Sequence, residues 1–171
     1  QPAVAWRAAA EGLRVAAPVA VSVPAALNAE LRPYQREGFE RLALWWRHRL
    51  GGILADDMGL GKTLQVLALI AHLREGGERR PVLVVAPTSV LATWRAEAAR
   101  FTPGLRVHLV EETAGKASGA AAAGRMAGAD PQAGEPPWSG ADVVVTSYTL
   151  LRLDADLYAA GDWACVVLDE A

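Results

Sequence analysis

The chain has 171 residues, which is enough for one domain with a sizeable buried core. Apolar residues make up 52% of it and charged residues 21%, and the formal net charge is −2, so the composition excludes a strongly basic or acidic protein. No run approaches the roughly 20 apolar residues of a membrane span, no secretory signal pattern is present, and the single cysteine, Cys165, excludes an internal disulfide.

The first part of the chain predicts two helices around a glycine-rich loop. Residues 1–30 are rich in Ala, Val and Pro and predict an irregular extension. In residues 33–50 apolar side chains recur at three- and four-residue steps, which indicates an amphipathic helix. Residues 52–55 predict a short strand leading into the loop, and residues 63–74 predict the second helix.

The second part alternates short apolar strands with helices. Strands are predicted at residues 81–86, 105–110, 143–146 and 164–168, and helices at about residues 88–100 and 148–153, the first capped by Thr88 or Ser89. Residues 111–140 predict a long mobile surface loop with a short helix through its alanines, because Ala and Gly fill 15 of those 30 positions. The alternation predicts an α/β fold, a parallel sheet flanked by helices.

Residues 56–63, Asp-Asp-Met-Gly-Leu-Gly-Lys-Thr, have the composition and position of a P-loop between a strand and a helix. Glycines let backbone N–H groups approach phosphate oxygens, and the helix that follows directs its amino end at the same anion. Lys62 is placed to reach the β- and γ-phosphates, and the Thr63 hydroxyl to ligate Mg²⁺. The segment departs from the usual pattern at Asp56, where a glycine is expected. The alternative is a glycine turn before a helix with a solvated lysine.

The same eight residues resemble the D-E-M-G-L-G-K-T box of Swi/Snf-type DNA-translocating ATPases, members of helicase superfamily 2, in which an acidic residue replaces the first glycine. The resemblance implies a RecA-like first lobe at residues 31–171 and an ATP contact by Asp57, Met58, Gly59, Leu60, Gly61, Lys62 and Thr63. Further segments resemble boxes of that family in its order, namely residues 31–38, 84–94, 143–148 and 166–171.

Gln35 lies in the first of these boxes, and the resemblance implies that it recognises adenine. A side-chain amide both donates and accepts hydrogen bonds, which suits the N6/N7 edge of that base. Read without the family, Gln35 is a solvated helix residue.

The boxes at residues 84–94 and 143–148 imply contacts with the backbone of one DNA strand. Thr88 and Thr146 are the candidate phosphate-binding residues. Helix capping is the alternative role for both. Trp94 is interpreted as core packing.

Asp169 and Glu170 lie in the last box, which resembles the D-E-A-H or D-E-A-Q sequence after a buried strand. The resemblance implies that Asp169 holds Mg²⁺ and that Glu170 polarises the attacking water, so both join Lys62 as catalytic residues. Without the family, an Asp-Glu pair after a strand is a solvated loop.

Together these motifs imply the ATP-binding lobe of an ATPase that uses ATP and Mg²⁺ and translocates on double-stranded DNA. Because the sequence starts at Gln1 without Met and stops at Ala171 after a strand-like run, we expect both ends to be cuts. The second RecA-like lobe and its arginines are then missing, so we expect the fragment to bind nucleotide and hydrolyse it negligibly. A cytoplasmic or nucleoid-associated location is expected. Alternatives are another superfamily 2 helicase or RNA-dependent ATPase, or a scaffold without turnover.

Overall fold

The structure is a computed structural model that describes residues 21–57, 59–113 and 136–170. Met58, Ala171, residues 1–20 and residues 114–135 lie outside this description. Most of the predicted extension and the predicted alanine helix fall in these residues. The chain divides into two compact units: Gln1–Gly77 with Arg100–Pro103 form the first, and Glu78–Ala99 with Gly104–Ala171 form the second.

The first unit is built on two helices that pack against each other, α1 (Pro33–Arg47) and α2 (Lys62–Glu75). Both confirm the sequence prediction, although α1 ends three residues earlier than expected. Phe39 of α1 is fully buried and meets the ring of His72 edge-on, with ring centroids 5.7 Å apart. Asn28 lies in the irregular segment before α1, and its backbone N–H donates to the carbonyl oxygen of Phe101 at 2.7 Å.

The strand predicted at residues 52–55 is wrong. These residues have no regular structure, and the side chain of Ile53 is 86% exposed. A strand needs a neighbour for its backbone N–H and C=O groups, and within the described ranges none pairs with this segment.

The second unit contains a four-stranded parallel sheet, which confirms the α/β prediction. Its strands are β1 (Val82–Ala86), β2 (Val107–Leu109), β3 (Val143–Ser147) and β4 (Cys165–Leu168), in the order β2-β3-β1-β4. Every pair runs parallel. The two central strands, β1 and β3, are buried at all five positions, as expected for a sheet covered on both faces.

Short helices follow two of the strands. A 3₁₀ turn (Thr88–Val90) leads into α3 (Leu91–Phe101), and β3 is followed by α4 (Tyr148–Leu153) and α5 (Ala155–Ala159). Thr88 and Ser89, expected to cap the helix, lie inside the 3₁₀ turn that precedes it. Ser147 caps α4, because its side chain accepts from the Leu150 N–H at 3.1 Å. Across the described ranges, no helix has the length and apolar character that crossing a bilayer requires.

Two further predictions are corrected by burial. The surface loop predicted at residues 111–140 does not extend to its end, because Trp138 is 4% exposed and stacks on Tyr158 with ring centroids 5.2 Å apart. The last strand was expected to be buried, but in the sheet of the described residues β4 is an edge strand whose Val166 and Leu168 are more than half exposed. Apolar composition alone does not distinguish an edge strand from a central one.

Candidate nucleotide-binding site

The loop before α2 is shaped by two of its glycines. Gly59 and Gly61 have φ angles of 83° and 77°, in the left-handed region that L side chains rarely adopt. A Cβ atom on Gly61 would also lie 2.6 Å from Nε2 of Gln35. Helix α2 begins at the next residue, so its unpaired amino end adjoins the loop.

Lys62 folds back onto the loop that precedes it. Its Nζ donates hydrogen bonds to the carbonyl oxygens of Asp56 at 2.7 Å and Asp57 at 3.1 Å. The ammonium group therefore lies against the loop backbone, next to the two glycines, where a phosphate would meet a positive charge and backbone N–H groups together. Thr63, the next residue, is half-buried in the first turn of α2.

Gln35 braces the same loop from α1. It is buried, its Oε1 accepts from the backbone N–H of Arg32, and its Nε2 donates to the carbonyl oxygen of Leu60, both at 3.0 Å. The solvated interpretation of Gln35 is therefore wrong. Both halves of the amide are bonded within the chain, and the donor half holds the loop.

Asp56 replaces the usual first glycine, and the structure gives it a partner. Gln65 in α2 is fully buried and donates from Nε2 to Oδ2 of Asp56 at 3.1 Å, while its Oε1 has no hydrogen-bond partner among the described residues. Gly38 of α1 makes the space, because a Cβ there would collide with Oε1 of Gln65. Sequence reasoning missed Gln65 and Gly38. The signal for the first was a glutamine inside an otherwise apolar run of the helix, Leu64 to Ala71.

Asp169, in the second unit, is held at three of its atoms. Its N–H donates to the carbonyl oxygen of Val85 at 2.8 Å, its Oδ2 accepts from the indole Nε1 of Trp94 at 2.8 Å, and its own carbonyl oxygen accepts from the Tyr148 hydroxyl at 2.9 Å. Desolvation, and secondarily the charge of Asp169, raise the pKa of Tyr148, which keeps its hydroxyl a donor. Glu170 is exposed and has a φ of 52°.

The two threonines predicted to bind a nucleic-acid backbone are placed differently. Thr88 is exposed at the start of the 3₁₀ turn, so its hydroxyl is accessible. Thr146 is fully buried, and its hydroxyl shares a 2.8 Å hydrogen bond with the hydroxyl of Tyr158. This position contradicts the role expected for Thr146, since a buried hydroxyl does not reach a phosphate. Trp94, 3% exposed, is a core residue as expected.

A family model for the SNF2-related domain matches residues 34–171, from the helix that carries Gln35 to the end of the chain. The chain belongs to the SNF2-related family. Its relatives include Helicase SWR1 of Mycosarcoma maydis, 37% identical over 149 residues, and a putative ATP-dependent helicase/translocase, YwqA of Bacillus subtilis, 39% identical over 142 residues. The two alignments cover 86% and 82% of this SNF2-related chain, but only 8% and 14% of the length of the relatives.

Solved structures confirm the fold of the SNF2-related lobe. The SWI2/SNF2 ATPase core of Sulfolobus solfataricus in complex with dsDNA is similar with a TM-score of 0.71 and 33% identity, over 88% of this chain and 28% of that one. The SWI2/SNF2 ATPase core domain of the same organism is similar with a TM-score of 0.70. The prediction of a RecA-like parallel sheet is thereby confirmed, and with it the resemblance to Swi/Snf-type ATPases.

Proposed function

We propose that this chain is the ATP-binding lobe, residues 31–171, of an ATPase that translocates on double-stranded DNA. The observation that carries the proposal is the cradle formed by Gly59, Gly61 and the Lys62 ammonium group at the start of α2. Glycine is required there both by φ and, at Gly61, by the close approach of Gln35. A triphosphate fits this donor set, which supplies backbone N–H groups, one cation and the amino end of a 14-residue helix.

Each chemical role falls to a residue of the chain. The loop from Asp57 to Gly61 and the Lys62 amine bind the phosphates, and Gln35 contacts adenine by exchanging one of its internal hydrogen bonds for one to the base. Glu170 orients and deprotonates the attacking water.

Two oxygen ligands are proposed for Mg²⁺, the Thr63 hydroxyl and the Asp169 carboxylate. Mg²⁺ takes oxygen ligands, few of them from protein, and neutralises charge on the phosphates. Within the described ranges no group of three His, Cys, Asp or Glu side chains could hold a metal ion alone, which suits an ion that arrives with its nucleotide.

Double-stranded DNA is the proposed partner, acting through a motor with two lobes. A solved ATPase core that resembles this chain is in complex with dsDNA, and Thr88 offers an accessible hydroxyl after β1. The net charge of −2 supports only weak binding by these 171 residues alone. For an ATPase that acts on DNA we propose a cytoplasmic or nucleoid-associated location.

We further propose that the 171 residues bind nucleotide but hydrolyse it negligibly. They correspond to 28% of the solved core, so most of its residues have no counterpart here. An arginine supplied from outside the nucleotide-binding lobe is worth roughly 10³ to 10⁵ in turnover in such enzymes. DNA-stimulated turnover on the order of a few per second from these residues would contradict this part of the proposal.

The deciding experiment is titration of a non-hydrolysable ATP analogue against the chain and against Lys62→Ala. We expect affinity to fall about 10- to 100-fold, because a hydrogen bond to a charged group is lost. Arg47→Ala is the control, since it removes one exposed positive charge from α1 of the same unit. Equal affinity in the Lys62 variant would remove the phosphate-binding role of the loop.

The nucleic-acid partner is tested separately in a protein that joins this lobe to a second one. Turnover is measured with duplex DNA, single-stranded DNA and duplex RNA of equal length. Stimulation by duplex DNA above the other two supports the proposal, and preferential stimulation by RNA identifies an RNA-dependent ATPase instead.

A further inference from the structure

We propose that Trp94 and Tyr148 are positioning residues for the metal-binding carboxylate of Asp169. They fix its side chain and backbone so that one carboxylate oxygen, Oδ1, is left to ligate the metal ion that accompanies the nucleotide. The inference rests on the proposed function, because it takes Asp169 as the metal ligand.

The indole of Trp94 selects one oxygen of the carboxylate. Its Nε1–H donates to Oδ2 at 2.8 Å, the short distance of a charge-assisted hydrogen bond. The indole is 3% exposed, so this N–H has little access to water. Indole N–H donates and never accepts, and breaking the bond would leave a buried donor unpaired. Rotation of the Asp169 carboxylate away from Trp94 is therefore unfavourable, because it would leave this buried N–H group without an acceptor.

Tyr148 fixes the backbone of the same residue. Its hydroxyl donates to the Asp169 carbonyl oxygen at 2.9 Å, while the Asp169 N–H continues the pairing of β4 with β1 by donating to Val85 at 2.8 Å. The next residue, Glu170, turns into the left-handed region with φ of 52°. The chain is thus held on both sides of the Asp169 Cα just where the regular strand ends.

Residues that orient a metal ligand have a measurable effect on metal affinity. Partners that orient a metal ligand from outside the coordination shell typically change metal affinity about 10- to 100-fold when removed. A residue that only packs in the core changes stability instead, and alters nucleotide affinity equally with and without metal. The ratio of the two affinities therefore separates the two roles.

The experiment measures the affinity of the 171-residue chain for a non-hydrolysable ATP analogue with Mn²⁺ and with EDTA, and takes their ratio. Asp169→Asn is expected to lower the ratio about 10-fold or more, and Trp94→Phe about 10-fold, with the EDTA affinity unchanged. Trp163→Phe is the matched control, because its Nε1 donates at 2.8 Å to the carbonyl oxygen of Tyr158, away from Asp169. We expect it to leave the ratio unchanged.

Tyr148→Phe tests the second contact without removing an indole, so it remains informative where Trp94→Phe does not fold. It is expected to lower the ratio several-fold, whereas Tyr158→Phe, which loses a hydroxyl bonded to Thr146, is expected to leave it unchanged. Mn²⁺ bound with the analogue should also broaden the Trp94 indole proton signal in NMR spectra before that of Trp163.

The outcomes distinguish this inference from the function it rests on. If Asp169→Asn lowers the ratio while Trp94→Phe and Tyr148→Phe both leave it at the value of the unsubstituted chain, the positioning role is wrong and the metal site stands. If Asp169→Asn itself leaves the ratio unchanged, Asp169 does not ligate the ion, and both the proposed role and the inference are overturned.

Discussion

The indole Nε1 of Trp94 and the carboxylate Oδ2 of Asp169 are 2.8 Å apart, although 75 residues separate them in the chain. Trp94 lies in α3, which follows β1, and Asp169 comes directly after β4. Strands β1 and β4 are parallel neighbours, so the segments that leave their carboxyl ends meet at one edge of the sheet. Motifs far apart in sequence are thereby brought into one hydrogen-bonded group.

Gly61→Ala is expected to weaken both the fold and the binding of nucleotide. The φ of 77° would be strained by about 1 to 2 kcal/mol with any Cβ, and the new methyl group would displace the Gln35 amide from the loop. Urea unfolding and ATP-analogue titration measure the two effects. Gly51→Ala is the control, since a Cβ there meets nothing within 4 Å. Equal affinities for the two variants would show that the loop does not need its left-handed glycine.

Asp56→Gly restores the usual P-loop pattern, yet we expect it to destabilise the chain by about 1 to 3 kcal/mol. The Gln65 amide, fully buried, would lose the acceptor of its N–H group. Adding Gln65→Leu removes the unpaired amide and should recover most of the loss in the free energy of unfolding. Asp57→Gly, in which an exposed carboxylate is removed, serves as the control. A double variant no more stable than Asp56→Gly alone would contradict this account.

The hydrogen-bonded side chains of Thr146 and Tyr158, in the second unit, can be tested by a similar double-mutant cycle. Tyr158→Phe removes the partner of the buried Thr146 hydroxyl and should cost about 1 to 3 kcal/mol, while Tyr158→Phe with Thr146→Val replaces both groups by apolar ones and should cost less. Denaturant unfolding of the single and double variants gives the coupling free energy between the two hydroxyl groups. Thr146→Val should also leave DNA affinity unchanged; a drop confined to DNA binding would restore the phosphate contact expected from the sequence.

Cys165 predicts a loss of stability at alkaline pH. Burial raises the pKa of its thiol to about 11, whereas an unfolded thiol titrates near 8.5. Below about pH 8.5 the thiol is protonated in both the folded and the unfolded state, so it does not lower stability. As pH rises towards 11 the unfolded thiol ionises first, and the free energy of unfolding falls by roughly 2 to 3 kcal/mol. Because lysine and tyrosine also titrate there, the test is the difference between the chain and Cys165→Ala. Parallel stability curves for the two proteins from pH 8 to 11 would refute the shift.

The sequence predicted the elements whose residues carry their own signal. Helix α4 began and ended where expected, and β1 and β3 were recognised as apolar runs buried on both faces. The cradle was also predictable, because glycine, lysine and a helix start are all local features.

The features that could not be predicted depend on contacts between residues distant in the chain. Nothing near Asp169 indicates that an indole 75 residues away donates to it, and nothing near Gln65 indicates that Gly38 makes its space. Residues 52–55 look like a strand, but strand formation is decided by a neighbouring strand. Trp138 was assigned to a loop from its Pro- and Gly-rich surroundings, although one large aromatic ring is enough to fix a segment to the core.

The central position of β1 has a consequence for how the polypeptide folds as it is synthesised. Among the described residues Val82–Ala86, which is entirely apolar, pairs with two strands that both lie later in the chain, Val143–Ser147 and Cys165–Leu168. At about 5 to 20 residues per second, ribosomes need roughly 3 to 11 s to travel from the end of β1 to the start of β3. During that interval an aggregation-prone segment has no partner strand, so we expect chaperones that bind extended apolar peptides to govern the yield of folded protein.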